Sequence, residues 1–145
     1  MSEFKIVQEY PQPRPRVWRA LTDPALVPRW TSTGRGGRPE GFTPEVGTRF
    51  RFVGRPVPGW DGIVRCEILA ADAPELLSFS WRNQEPDVPS TVTCRLTETT
   101  AGTRLVYRHT EFRGVGGFFM ARLLRRVRHR MLTEGLPGVL ADPSW

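Results

Sequence analysis

Residues 90–112, STVTCRLTETTAGTRLVYRHTEF, decide the fold. Val92, Cys94 and Leu96 alternate with Thr91, Thr93 and Arg95, and after the turn residues Thr100-Ala101-Gly102 the same alternation resumes at Leu105, Tyr107 and His109. A period of two places each set on one face of a strand. The connection is too short for anything but an antiparallel hairpin. Moving toward the N-terminus, Leu77, Phe79 and Trp81 form a further set, as do Val64, Cys66 and Ile68, and Phe50 and Phe52. The connections between them (Pro56 to Gly62, Asp72-Ala73-Pro74, Glu85 to Pro89) carry turn chemistry and leave no room for a crossover helix. The middle of the chain therefore reads as an antiparallel meander.

Beyond this meander the period changes. From Phe118, the apolar residues Phe119, Met120, Leu123, Leu124, Val127 and Met131 recur at spacings of three and four, and Arg122, Arg125, Arg126, His129 and Arg130 fill the remaining surface. This predicts an amphipathic closing helix of about 20 residues, about 30 Å long at 1.5 Å per residue. Gly135 and Pro137 are expected to interrupt it, with Leu136, Val139 and Leu140 adding one apolar turn. At the other end, FKIVQEY (4–10) alternates as a first strand and stops at Pro11. A short helix over 15–21 is expected to bury Val17, Trp18 and Leu21, and Asp23-Pro24 signals a second one ending near Trp30. Residues 31–47 read as loop. The layout is α+β, with helices covering one face of a sheet.

At 145 residues the chain suits one domain, 1–145, large enough for a core without disulfide or metal staples. No apolar run approaches the ~20 residues of a membrane span, and the MSEFKIVQEY start lacks a signal-peptide layout, so a cytoplasmic protein is expected. Two Cys and two His do not make a standard zinc site, and no cofactor motif is present. Cys66 and Cys94 fall on strands separated by the 76–81 strand, roughly 9–10 Å apart, and are expected to be free thiols. The net charge is +6, and Lys5 is the only Lys beside 20 Arg. Such a balance favours anionic partners. However, no aromatics interleave with Arg122, Arg125, Arg126, Arg128 and Arg130, so that face reads as solvated, and nucleic acid is disfavoured as a partner. Gly114-x-Gly116-Gly117 lacks the residues of a phosphate loop and reads as a flexible joint.

The stretches PRVWRALTDPALVPRW (15–30), VGTRFRF (46–52), GIVRCEILAADAPELLSFSW (62–81), 90–112 and MLTEGLPGVL (131–140) resemble the START/Bet v 1-like (SRPBCC) superfamily. Within it they are similar to bacterial single-domain proteins akin to the C-terminal domain of the activator of Hsp90 ATPase. The resemblance implies a helix-grip fold: a curved antiparallel β-sheet wrapped around a long C-terminal helix, two short helices after the first strand, and a cavity between. It also implies a small apolar or amphipathic ligand, since most members of the superfamily bind one, while some branches are cyclases or hydrolases.

On this layout the candidate ligand-binding residues are Trp30, Phe50, Phe52, Trp60, Phe79, Trp81, Tyr107 and His109, facing Phe119, Met120, Leu123 and Val127 of the closing helix. Tyr107 and His109 share a strand face and are the polar handle of the set. No Asp or Glu accompanies them, so the acid/base pair an enzyme needs is incomplete. The expected function is non-catalytic binding in the cavity between sheet and helix. The alternatives are an enzyme of the cyclase or hydrolase type using His109, and an interaction module partnering a chaperone. A homodimer is compatible with the sequence.

Overall fold

The computed structural model describes residues 2–31, 38–56, 58–59, 61–83, 88–112 and 114–145. Seven strands form one antiparallel sheet: β1 (Ser2–Tyr10), β2 (Arg38–Glu40), β3 (Arg49–Val53), β4 (Ile63–Asp72), β5 (Leu76–Trp81), β6 (Ser90–Thr99) and β7 (Gly102–Phe112), in the order β1-β7-β6-β5-β4-β3-β2. The hairpin of 90–112 pairs in register from Thr99↔Gly102 to Thr91↔Thr110, which sets Val92 opposite His109 and Cys94 opposite Tyr107. Strand β1 closes the far edge, with Phe4 opposite His109 and Ile6 opposite Tyr107. Register shifts between Ser2 and Phe4 and between Ile68 and Ala70 bend the strands that carry them, and the sheet curves. Gly102 is obligatory at its turn: with φ +150°, a Cβ there would meet the Tyr10 carbonyl oxygen at 2.1 Å.

Three features depart from the sequence reading. Strand β2 lies inside the stretch read as loop and pairs only with β3, Pro39 facing Phe52. Helix α1 (Arg14–Thr22) buries Val17, Ala20 and Leu21, with Trp18 only half-buried, and α2 is the short Val27–Thr31. The Asp23 side chain caps the intervening turn through the Ala25 amide, 2.8 Å away. Gly116 and Gly117 belong to helix α3 (Gly114–Arg130) rather than to a flexible joint. A Cβ on Gly117 would sit 2.9 Å from the Phe112 backbone, so this glycine lets the helix pack against the end of β7.

The closing helix continues through a π-helical turn, Met131–Gly135, into α4 (Leu136–Ala141). Pro137 lacks an amide to continue the ladder, and the Leu136 amide bonds five residues back to the Met131 carbonyl. Tyr10 of β1 donates its hydroxyl to the Leu132 carbonyl at 2.7 Å, tying this turn to the sheet. The Arg16 guanidinium ties α1 to the chain end. It donates to the carbonyls of Leu140, Asp142 and Trp145 and stacks 3.7 Å over the Trp145 ring. No helix among the described residues is long and apolar enough to cross a membrane. Cys66 and Cys94 are buried free thiols on β4 and β6, with β5 between them.

Candidate functional site

The concave face of the sheet is paved with rings. Phe50 lies edge-on to Phe42, Phe52 and Phe79 at centroid distances of 5.0, 5.5 and 5.4 Å, and Phe52 continues to Trp81 at 6.0 Å. Such tilted contacts suit the ring quadrupoles. Trp30 of α2 fixes its indole by donating to the Ala20 carbonyl at 2.8 Å. Between this face, α2 and the closing helix lies a cavity of about 30 Å³, bounded by Leu21, Val27, Trp30, Pro39, Phe42, Phe52, Leu77, Phe79, Cys94, Tyr107 and Arg128. Among the described wall residues Pro39 is half-buried and the others are buried. The space holds water-sized molecules, well short of the roughly 300–1,000 Å³ of a drug-sized ligand pocket. Larger hollows of about 470 Å³ lie among Arg49, Arg51 and Arg65 on the strands and along Arg122, Arg125 and Arg126 of α3, but these are open and charged.

Of the sequence candidates, the structure brings Trp30, Phe52, Phe79 and Tyr107 to the cavity wall and sets Phe50, Trp81 and His109 behind it. Met120 and Val127 are half-buried against the core. Trp60 lies outside the described residues. Phe119 and Leu123 are not an inner wall: they are 64% and 55% exposed on the outer side of α3. Helix α3 is rotated so that Ala121, Leu124 and Arg128 turn inward, Ala121 and Arg128 being buried, with Met131 and Leu132 continuing the stripe.

Arg128 is the residue that sequence reasoning misplaced. Read as part of a solvated arginine face, it is 6% exposed. Its guanidinium carbon lies 5.1 Å from the Trp81 ring centroid, 5.8 Å from Phe52 and 6.0 Å from Tyr107. Nη1 donates to the Met131 thioether at 3.3 Å, and among the described residues no carboxylate lies within ion-pair distance. Cation–π contacts of this kind contribute up to about 2 kcal/mol when desolvated. They do not supply the counter-charge that a buried cation ordinarily has. A signal existed in the sequence: 121, 124, 128, 131 and 135 follow a three-four spacing, and Arg128 stands in the middle of that stripe.

The polar atoms around this cation are also unsatisfied. The Tyr107 hydroxyl, Trp81 Nε1 and His109 Nδ1 are buried without hydrogen-bond partners among the described residues. Burial holds the Tyr107 phenol well above its ordinary range despite the nearby Arg128, so it is a neutral donor. His109 is fully buried against the rings of Phe4, Trp81 and Phe112. Its Nε2 lies 2.7 Å from the Ser90 hydroxyl, which also donates to the Trp81 carbonyl. Burial first, and the Arg128 charge second, lower its pKa to about 3, so the imidazole is neutral at physiological pH. Burial likewise raises the Cys66 and Cys94 thiols, which makes both poor nucleophiles. No group of three His, Cys, Asp or Glu that could hold a metal ion occurs among the described residues.

A curved antiparallel sheet gripping a C-terminal helix over an aromatic interior defines a helix-grip α+β protein, a fold class of ligand-binding domains in general. The chain belongs to the family described as Activator of Hsp90 ATPase homolog 1-like protein, whose model matches residues 11–120. Among solved structures it is similar to protein MLL2253 from Mesorhizobium loti, at 28% identity and TM-score 0.80, covering 97% of this chain and 99% of that one. It shares its fold with protein NE0264 from Nitrosomonas europaea (20% identity, TM-score 0.75, 95% and 93% covered). CalU16 from Micromonospora echinospora has the same fold (23%, 0.66, 95% and 80%). No curated protein matches.

Proposed function

We propose that the protein binds a small amphipathic molecule, without chemistry, in the interior between the sheet and the closing helix. The observation that carries this reading is the wall of the cavity. An apolar aromatic enclosure holds two convergent polar groups: Tyr107, whose hydroxyl has no hydrogen-bond partner among the described residues, and Arg128, which has no carboxylate partner among them. A core selected for packing alone would have apolar residues there, because a buried polar group without a partner costs about 1–3 kcal/mol. The room for a ligand body must come from repacking of the wall, since the cavity itself is small. His109 supports binding over hydrolysis or cyclisation. A neutral imidazole, engaged by Ser90 and walled in by rings, has no carboxylate beside it among the described residues to complete an acid/base pair.

A melting-temperature screen with fatty acids, isoprenoids and aromatic polyketide-like compounds tests this. A ligand present at 100 times its dissociation constant stabilises the native state by about 2.7 kcal/mol, several degrees for a chain of this size. Val27→Phe, placed in the cavity wall, should remove that shift while costing about 1–3 kcal/mol of stability through overpacking. A screen without any shift would sink the reading.

A further inference from the structure

We infer that the ligand is a carboxylic acid, with Arg128 as the receptor for its carboxylate and the Tyr107 hydroxyl as a second donor to the same head group. This rests on the cavity reading above and adds the chemistry of the occupant. Arg128 is more than nine-tenths buried, borders the cavity and has no acidic partner among the described residues. An arginine stays protonated throughout the accessible pH range. The site is therefore a fixed positive charge within an apolar enclosure.

Water filling the cavity could satisfy hydrogen bonds, but it would leave the charge uncompensated. The rings of Trp81, Phe52 and Tyr107 stabilise the cation only in part, and the Met131 sulfur is a weak acceptor. A carboxylate supplies what is missing, because two oxygens match the guanidinium fork and retain capacity for the Tyr107 proton. A single guanidinium balances a single negative charge. Among the described residues, Arg128 is the one charged side chain of the cavity wall, which favours a monoanionic head over a phosphate dianion. The aromatic wall then takes the apolar body, and the half-buried Pro39 marks where the cavity comes nearest the solvent.

Calorimetric titration of the full chain with two matched pairs tests the assignment: decanoate against 1-decanol, and indole-3-acetate against indole-3-ethanol. At least one acid should bind the wild type more tightly than its alcohol. Arg128→Met, which keeps length and apolar stem, should weaken that acid by about 10- to 100-fold and leave the alcohol unchanged. Tyr107→Phe, which removes only the hydroxyl, should weaken the acid by a smaller factor and keeps the test available if Arg128→Met does not fold. Acid and alcohol binding alike, with neither variant discriminating between them, overturns the carboxylate assignment and leaves the cavity reading standing. If none of the four compounds binds, the cavity reading fails, and this inference with it.

Discussion

His109 and Arg128 share one enclosure, and the acid behaviour of the protein follows from it. In the unfolded chain a histidine titrates near 6.5, whereas in the fold burial and the neighbouring Arg128 hold His109 neutral down to about pH 3. Between those values the unfolded state binds one more proton than the native state. Stability therefore rises with pH in this window and is lost as pH falls, by at most about 1.4 kcal/mol per pH unit. Among the described residues, the groups facing His109 are the rings of Phe4, Trp81 and Phe112, the Ser90 hydroxyl and the Arg128 charge, and none is an acid that would offset the effect. Asp142 adds a lower window. Its carboxylate is held at about 2 by the Arg29 guanidinium, so its contribution is complete above about pH 4 and disappears as pH falls toward 2. Urea midpoints measured from pH 7 to pH 3 should thus fall in the wild type. In His109→Gln the decline should flatten above pH 4 and persist below it. Equal slopes for the two proteins above pH 4 would show that His109 is not the titrating group.

At the scale of elements, the inward face of α3 is decided by two residues that hydrophobicity does not score. Ala121 is small and Arg128 is charged, yet both are buried, while Phe119 and Leu123 point outward. Enlarging Ala121 to Leu should cost about 1–3 kcal/mol, because the position is buried in the core and the added atoms would overpack it. Leu123→Trp should change stability by less than about 0.5 kcal/mol, as expected of an exposed position. Thermal melts of the two variants give the comparison, and a larger loss for Leu123→Trp would mean that the helix sits in the other rotation. The strands were legible in the sequence because alternation survives burial: Leu105, Tyr107 and His109 face inward as their spacing indicates. Strand β2 was not legible. It is three residues long, contains Pro39 and pairs on one side only, so neither propensity nor period marks it. Of the cavity wall, Phe52, Phe79 and Tyr107 were legible for the same reason that the sheet was. Arg128 was hidden because a buried cation at an inward helix position has the same letter as a solvated one.

At the scale of the whole molecule, the surplus of positive charge is unevenly placed. On the sheet, Arg49 pairs with Glu67, Arg51 with Glu40, Arg104 with Glu9 and Arg108 with Glu3, so the outer strand surface is largely balanced. On α3, Arg130 meets Glu134, whereas Arg125 and Arg126 border one open hollow beside Leu123 and His129. A polyanion should therefore approach along the outer face of this helix. Two arginines, Arg125 and Arg126, neutralising two phosphates give a slope of about −1.8 in log K against log salt, without the aromatic stacking that would add affinity independent of salt. Fluorescence anisotropy with a labelled duplex should detect weak binding at low ionic strength and lose it near physiological salt, with no preference among sequences. Arg125→Glu combined with Arg126→Glu should abolish it, while the decanoate titration stays unchanged because Arg128 faces the opposite side of the helix. Sequence-specific binding that persists at physiological salt would move the functional assignment from the interior to this helix face.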